Sequence, residues 1–94
     1  MNLLTVGVNK LAEIKQRCRR ELNPIMRMLM FKRFKSSEIM WMGFVKLTEQ
    51  KVLEHPDHYL DKLPPPELIE TVVRELFAEF ISEHLRRRHH NNPF

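Results

Sequence analysis

The chain has 94 residues and a formal net charge of +4, a length that predicts a single domain over residues 1–94. Hydrophobic residues make up 43% of the chain and charged residues 30%, which is typical of a folded protein and excludes a disordered one. Two glycines, Gly7 and Gly43, are too few for phosphate-cradling loops or a hairpin-rich β fold. The single cysteine, Cys18, excludes an intramolecular disulfide and a secreted disulfide scaffold.

The N-terminal segment lacks the basic stretch and the long apolar stretch of a signal peptide. The richest apolar zone, Ile25 to Phe31, is interrupted by Arg27, and no segment approaches the roughly 20 apolar residues that a membrane-spanning helix requires. We therefore expect a cytoplasmic protein with no membrane partner.

Apolar residues in the first quarter of the chain recur at three- and four-residue steps, which predicts an amphipathic helix from about Thr5 or Asn9 to Leu22. They are Leu4, Val8, Leu11, Ile14, Cys18 and Leu22. Asn23-Pro24 breaks this pattern, because the residue before a proline avoids the α region. Asn23 is also suited to cap a second helix with Pro24 in its first position.

The second predicted helix, Pro24 to Lys35, has apolar residues around most of its circumference, so one helical face cannot bury them all. They are Ile25, Met26, Met28, Leu29, Met30, Phe31 and Phe34. Ser36-Ser37-Glu38 then resembles a capped helix start and predicts a third helix from about Glu38 to Glu54. Its residues form one stripe of Met40, Phe44, Leu47 and Lys51, with Trp41, Val45 and Val52 beside it.

A loop is predicted from His55 to Pro66, since it contains Pro56 and the run Pro64-Pro65-Pro66. The last helix follows, with acids in its first turn and Arg86 to Arg88 in its last, and Asn91 to Phe94 form a tail. Its apolar stripe comprises Leu68, Ile69, Val72, Val73, Leu76, Phe77, Phe80, Ile81 and Leu85. The predicted fold is an all-α bundle of three to four helices, with a proline-rich loop before the long C-terminal helix.

A basic cluster occupies the segment from Arg17 to Lys35, where Glu21 is the only acid. It comprises Arg17, Arg19, Arg20, Arg27, Lys32, Arg33 and Lys35. Such a cluster is suited to phosphate contacts or to an acidic protein groove, and it is also the ordinary composition of a solvated helix face. A helix-turn-helix around Asn23-Pro24 is a further option, although no zinc-finger spacing or RNA-binding signature is present.

Nine methionine and aromatic residues fall between Met26 and Phe44, which indicates either a methionine-rich core or a protein interface. Because they adjoin the basic cluster, we predict a partner-binding surface. Its residues are Arg19, Arg20, Arg27, Met28, Met30, Phe31, Lys32, Arg33 and Trp41. Rival interpretations are a small basic DNA- or RNA-binding protein that uses the same patch, and an amphipathic helix on anionic membrane with Arg86 to His90 near the lipid.

Catalytic and metal-binding patterns find little support in the sequence. No nucleophile elbow, paired-cysteine motif or phosphate-binding loop occurs, and Cys18 lies on an apolar stripe, as a small buried thiol does. His55 and His58 flank Pro56-Asp57, but a metal site needs three or four convergent ligands. We expect no enzymatic activity, no cofactor and no metal.

The chain resembles the small anti-RecBCD proteins (Abc type) of lambdoid Salmonella phages. The similarity covers the whole chain and lies in its length, the opening Met1 to Leu4, the arginine-rich segment from Lys15 to Arg20, and the loop Leu63-Pro64-Pro65-Pro66 before a long amphipathic helix. It implies a phage protein in the bacterial host cell that binds the RecC subunit of the RecBCD helicase–nuclease and alters its processing of DNA ends. It also implies a host peptidyl-prolyl isomerase acting on the proline loop, which otherwise is a rigid spacer.

Overall fold

The computed structural model describes the backbone of residues 3–91 and the side chains of residues 9–85. It contains α1 (Leu3–Glu21), α2 (Asn23–Arg33), α3 (Glu38–Glu54) and α4 (Pro66–Asn91), with a 3₁₀ turn at Pro56–His58. The predicted all-α class, with a proline-rich loop before a long last helix, is confirmed. The side chains of Arg86 to His90, and the predicted tail beyond Asn91, lie outside the described residues.

The joint between α1 and α2 differs from the sequence prediction. Asn23 does not cap α2; Leu22 occupies the cap position with helical backbone angles, and no side chain bonds to the first turn. Helical hydrogen bonding continues through the joint, from the Leu22 N–H to the Cys18 carbonyl at 2.8 Å and from the Met26 N–H to the Leu22 carbonyl at 3.0 Å. Burial of the Leu22 side chain holds the chain in this path, so Pro24 removes only its own bond. A one-residue joint is also too short for the helix-turn-helix considered above.

The start and end of α3 agree with the prediction from local sequence. The Ser37 hydroxyl accepts a hydrogen bond from the Met40 N–H at 3.2 Å, and Glu38 lies in the first turn. Both features stabilise a helix N-terminus, one by satisfying a free N–H and one by complementing the helix dipole. The helix ends at Glu54, just before His55 and Pro56.

One hydrophobic core joins all four helices. The helix α4 packs against α3 and α1, and α2 closes the end of the bundle by packing on the same two helices. The core comprises Ile14, Cys18, Leu22, Leu29, Trp41, Val45, Val52, Leu60, Val72, Val73, Leu76, Phe77 and Phe80. Because α4 contributes more of these residues than any other helix, the predicted apolar stripe of the last helix is confirmed.

Trp41 is the side chain that connects α2, α3 and α4. It is 0% exposed, and its Nε1–H donates to the Leu29 carbonyl of α2 at 2.8 Å. Its ring lies 5.7 Å from Phe80 and 5.9 Å from His84, both on α4. The Arg33 guanidinium carbon lies over the same ring, 4.3 Å from its centre. A large aromatic group with its N–H satisfied is a strong contributor to stability.

The loop before α4 is fixed to α1 by polar contacts. The Glu21 carboxylate accepts a hydrogen bond from the Asp61 N–H at 2.8 Å, and Arg17 donates to the Lys62 carbonyl at 3.3 Å. Leu60 and Pro64 are buried beneath this segment. The loop therefore sets the point at which α4 begins, and Pro66 takes the first helical position that suits proline.

Replacement of Trp41 by alanine should destabilise the fold by about 3–5 kcal/mol, since it leaves a large cavity and removes the hydrogen bond from the indole to the Leu29 carbonyl. Urea unfolding followed by circular dichroism measures this change. The control is Leu47→Ala on the exposed side of the same helix, which should change stability by no more than about 0.5 kcal/mol. Equal losses for the two variants would contradict the assigned core.

Candidate protein-binding surface

A group of large apolar side chains on α2 and α3 lies outside the core. Phe31 is 64% exposed and Leu47 62%, and Met28 and Met40 are about half exposed or more. Phe44, beside them, is half-buried. We call these five residues the α2–α3 face. Small proteins seldom expose so many large apolar side chains on one side without a partner for them.

The two halves of the α2–α3 face meet at Lys32 and Phe44. The Lys32 ammonium of α2 lies 5.0 Å from the centre of the Phe44 ring of α3. Met28 precedes Lys32 by one helical turn, while Met40 and Leu47 flank Phe44 by one turn on either side, so each lies on the same side of its helix. The face is therefore continuous across both helices.

The helix α3 has two apolar sides, and the core takes only one of them. Trp41, Val45 and Val52 point into the core. Met40 and Leu47, which belong to the stripe predicted for the third helix, are exposed. Successive residues of a helix are rotated by about 100°, so the two stripes lie next to each other and periodicity alone does not say which one is buried. Contact with α4 determines which of the two stripes is buried.

Cations surround the α2–α3 face. Arg27, Lys32, Lys35 and Lys51 are all exposed, and the Lys35 ammonium lies 5.0 Å from the Phe31 ring. The helix α2 contains no carboxylate. An apolar centre with a charged rim is the usual layout of a protein interface.

The residues predicted to bind a partner do not form one surface. Met28 and Phe31 belong to the α2–α3 face, and Lys32 lies against its Phe44 ring. Arg27 is exposed on α2, and Arg20 is exposed on α1. The assignment of Trp41 to the surface is wrong, because its side chain is sealed in the core and has no exposed area. Sequence reasoning treated tryptophan as an interface anchor, and only the packing of α4 on α3 shows that it anchors the fold.

Three further predicted residues have structural roles. Arg33 covers the Trp41 ring, and Arg19 donates to the Glu79 carboxylate of α4 at 2.6 Å. Met30 is half-buried and lines a groove of about 700 Å³ between the α1–α2 joint and α4. Met26, Phe80 and Glu83 also line that groove, which sequence analysis did not anticipate.

An ion-pair ladder joins α1 to α4. The Lys15 ammonium lies 2.6 Å from Glu79 and 3.1 Å from Glu75, and Arg19 pairs with the other Glu79 oxygen. The hydrogen bond from Lys15 lowers the pKa of the Glu79 carboxyl, and the hydrogen bond from Arg19 lowers it further. The pKa of Lys15 is raised in turn, chiefly by its hydrogen bond to Glu79. The spacing of four residues on each helix is visible in the sequence, but the pairing of α1 with α4 is not.

The remaining reactive groups form no centre among the described residues. No three His, Cys, Asp or Glu side chains in that part of the chain come together as metal ligands. His55 and His58 stack with their ring centres 5.0 Å apart. Cys18 is fully buried, and burial raises the pKa of its thiol, which disfavours the nucleophilic thiolate. None of the described helices has the length and apolar composition for a membrane span.

Comparison with known proteins yielded no relative for this chain. No protein-family model, curated protein or solved structure matched it. The geometry of the α2–α3 face, together with the sequence resemblance described above, is therefore the basis for a functional proposal.

Replacement of Glu79 by glutamine should lower stability by roughly 1 kcal/mol or less at neutral pH, since the carboxylate is 47% exposed. The folded state holds the pKa of Glu79 below its ordinary value of 4.5. The ion pairs therefore stabilise the folded protein above that pH, and this stabilisation is lost as the pH falls through the folded pKa. The difference between wild type and Glu79→Gln in urea unfolding should thus vanish in acid. Glu13→Gln, exposed on α1, is the control, and a difference that persists in acid would contradict the ladder.

Proposed function

We propose that the protein is a non-enzymatic modulator that binds a larger protein through the α2–α3 face. The observation that supports this most is the set of exposed apolar side chains there, with Phe31 and Leu47 each more than three-fifths exposed. Burying large apolar side chains against a partner supplies most of the free energy of a typical interface. The cations at the rim would add orientation and faster association.

Nucleic-acid binding is the weaker alternative, because three of the seven residues of the basic cluster make contacts within the fold. Arg17 donates to the Lys62 carbonyl, Arg19 to Glu79, and Arg33 stacks on Trp41. Phosphate binding needs several cations free to replace counterions. Three of the remaining residues, Arg27, Lys32 and Lys35, lie beside apolar side chains that a phosphate backbone cannot cover with apolar groups of its own.

The partner that we propose is the host RecBCD helicase–nuclease, bound through its RecC subunit, which is what the resemblance to anti-RecBCD phage proteins implies. The protein would then act in the cytoplasm of a bacterial host as a phage-encoded nuclease inhibitor. By altering how RecBCD processes DNA ends, it would favour phage recombination. Such a role needs a docking surface and no catalytic centre.

A host peptidyl-prolyl isomerase is a second proposed partner, at the loop Leu63-Pro64-Pro65-Pro66. Leu63, Pro65 and Pro66 are exposed, whereas Pro64 is buried. An isomerase would therefore approach the second half of this loop. The peptide bonds of the described residues are all trans.

The proposal predicts that immobilised protein retains purified RecBCD, and that Phe31→Ala and Leu47→Ala each weaken the affinity about tenfold or more, as truncation of interface anchors does. Both side chains lie outside the core, so the variants should keep the wild-type fold by circular dichroism. Biolayer interferometry with RecBCD as the analyte provides the dissociation constants.

The control variant is Gln16→Ala, which truncates an exposed side chain on α1 and should bind as wild type does. Failure to retain RecBCD would refute the proposed target. Retention of nucleic acid alone, with an affinity that falls by several decades between low and moderate salt, would favour the alternative function.

A further inference from the structure

We infer that the α2–α3 face receives an amphipathic helix of the partner whose apolar stripe is flanked by Asp and Glu side chains. This inference rests on the proposed function and deepens it, because it specifies the chemistry of the surface that the partner presents. Three features support it: the incomplete cover of α3, the dimensions of the face, and its charge.

The helix α3 has the sequence of a central helix but neighbours on only part of its circumference. Trp41 and Val45 are fully buried, while Met40 and Leu47, on the adjacent side, are exposed. Apolar residues around most of a helix are typical of one enclosed by others. The bundle supplies α4 and α2 as the helices packed against α3, and one further helix packed over Phe44 would complete the enclosure.

The size of the face suits a helix of a few turns. Met40 and Leu47 are separated by two turns, or about 10 Å along the axis of α3. The α2 residues Met28 and Phe31 form a second row beside them, joined through the Lys32–Phe44 contact. Two such rows on neighbouring helices make the groove into which a third helix inserts apolar residues at i, i+3, i+4 and i+7.

The charge of the face selects an acidic helix. The ammonium groups of Lys32 and Lys35 each lie 5.0 Å from an aromatic ring of the face, Lys32 where α2 meets α3 and Lys35 beside Phe31. Both residues are exposed, so carboxylates of a partner can reach them. The stripe of α3 from Met40 to Leu47 carries no carboxylate, since Glu49 is buried and Glu38 and Glu54 lie at the two ends of the helix. Opposite charges at the rim favour one partner and exclude others.

A second copy of the chain is disfavoured by the same charges. A two-fold interface brings the same patch of each subunit together, so the cations beside the face of one copy would approach those of the other. Like charges placed opposite each other reduce affinity. A partner of opposite charge avoids this repulsion.

The test uses two synthetic peptides of about five helical turns, held helical by a lactam staple, with one leucine stripe and either Glu or Lys flanks. We expect the Glu-flanked peptide to bind at least about tenfold more tightly than the Lys-flanked one at low salt. Amide chemical shifts of the full-length protein should change in α2 and α3. Equal affinities, no binding of the Glu-flanked peptide, or changes centred on the α1–α4 groove would overturn the inference.

Charge reversal provides a matched pair of variants. Lys32→Glu combined with Lys35→Glu should weaken binding of the Glu-flanked peptide about tenfold or more and strengthen binding of the Lys-flanked one. The control, Lys10→Glu combined with Lys62→Glu, makes the same change in net charge at exposed positions away from the face and should leave both affinities unchanged. Equal effects of the two double variants would also overturn the inference.

Two outcomes separate this inference from the proposed function. If RecBCD binding depends on Phe31 and Leu47 but tolerates reversal of Lys32 and Lys35, the acidic helix is wrong and the docking surface stands. If the Glu-flanked peptide binds the face but RecBCD is not retained, the target is wrong and the inference stands. Binding of phosphatidylglycerol vesicles through Phe31 and Leu47, without binding of the peptide, would overturn the inference in favour of a lipid surface.

Discussion

The burial of Trp41 determines most of what this small bundle presents to its surroundings. Its indole N–H is bonded to the Leu29 carbonyl of α2, and its ring packs against Phe80 and His84 of α4. These contacts fix the rotation of α3 about its own axis. With Trp41 turned inward, the adjacent stripe of Met40 and Leu47 must face outward, so the same packing that stabilises the fold creates the exposed apolar face.

The basic cluster is divided by the same arrangement. Arg33 is drawn over the Trp41 ring, and Arg19 is held by Glu79 where α1 meets α4. Lys32 and Lys35 are at the surface, where Lys32 contacts the Phe44 ring and Lys35 the Phe31 ring. The positive segment of the sequence therefore has two parts. Arg19 and Arg33 stabilise the fold, whereas Lys32 and Lys35 lie next to apolar side chains at the surface. This combination favours a protein partner over a phosphate backbone.

Local rules predicted the parts of the fold that local interactions determine. The Ser37 cap and Glu38 mark the start of α3, and Pro66 takes the first position of α4. The sequence misplaced Trp41 and the joint at Asn23-Pro24, since both depend on tertiary burial that overrides a local preference. The ladder from Lys15 to Glu79 and the groove beside Met30 require knowing which helices are neighbours, and no local pattern supplies that.

Methionine oxidation measures the central claim most directly, because the chain carries its own reporters on and off the α2–α3 face. Met28 and Met40 are exposed, while Met30 and Met42 are half-buried, and peroxide oxidises accessible thioethers first. Mass spectrometry should show Met28 and Met40 oxidised faster than Met30 and Met42 in the free protein, and protected when RecBCD is bound. Oxidation of Met28 and Met40 at the same rate with and without RecBCD would contradict the account.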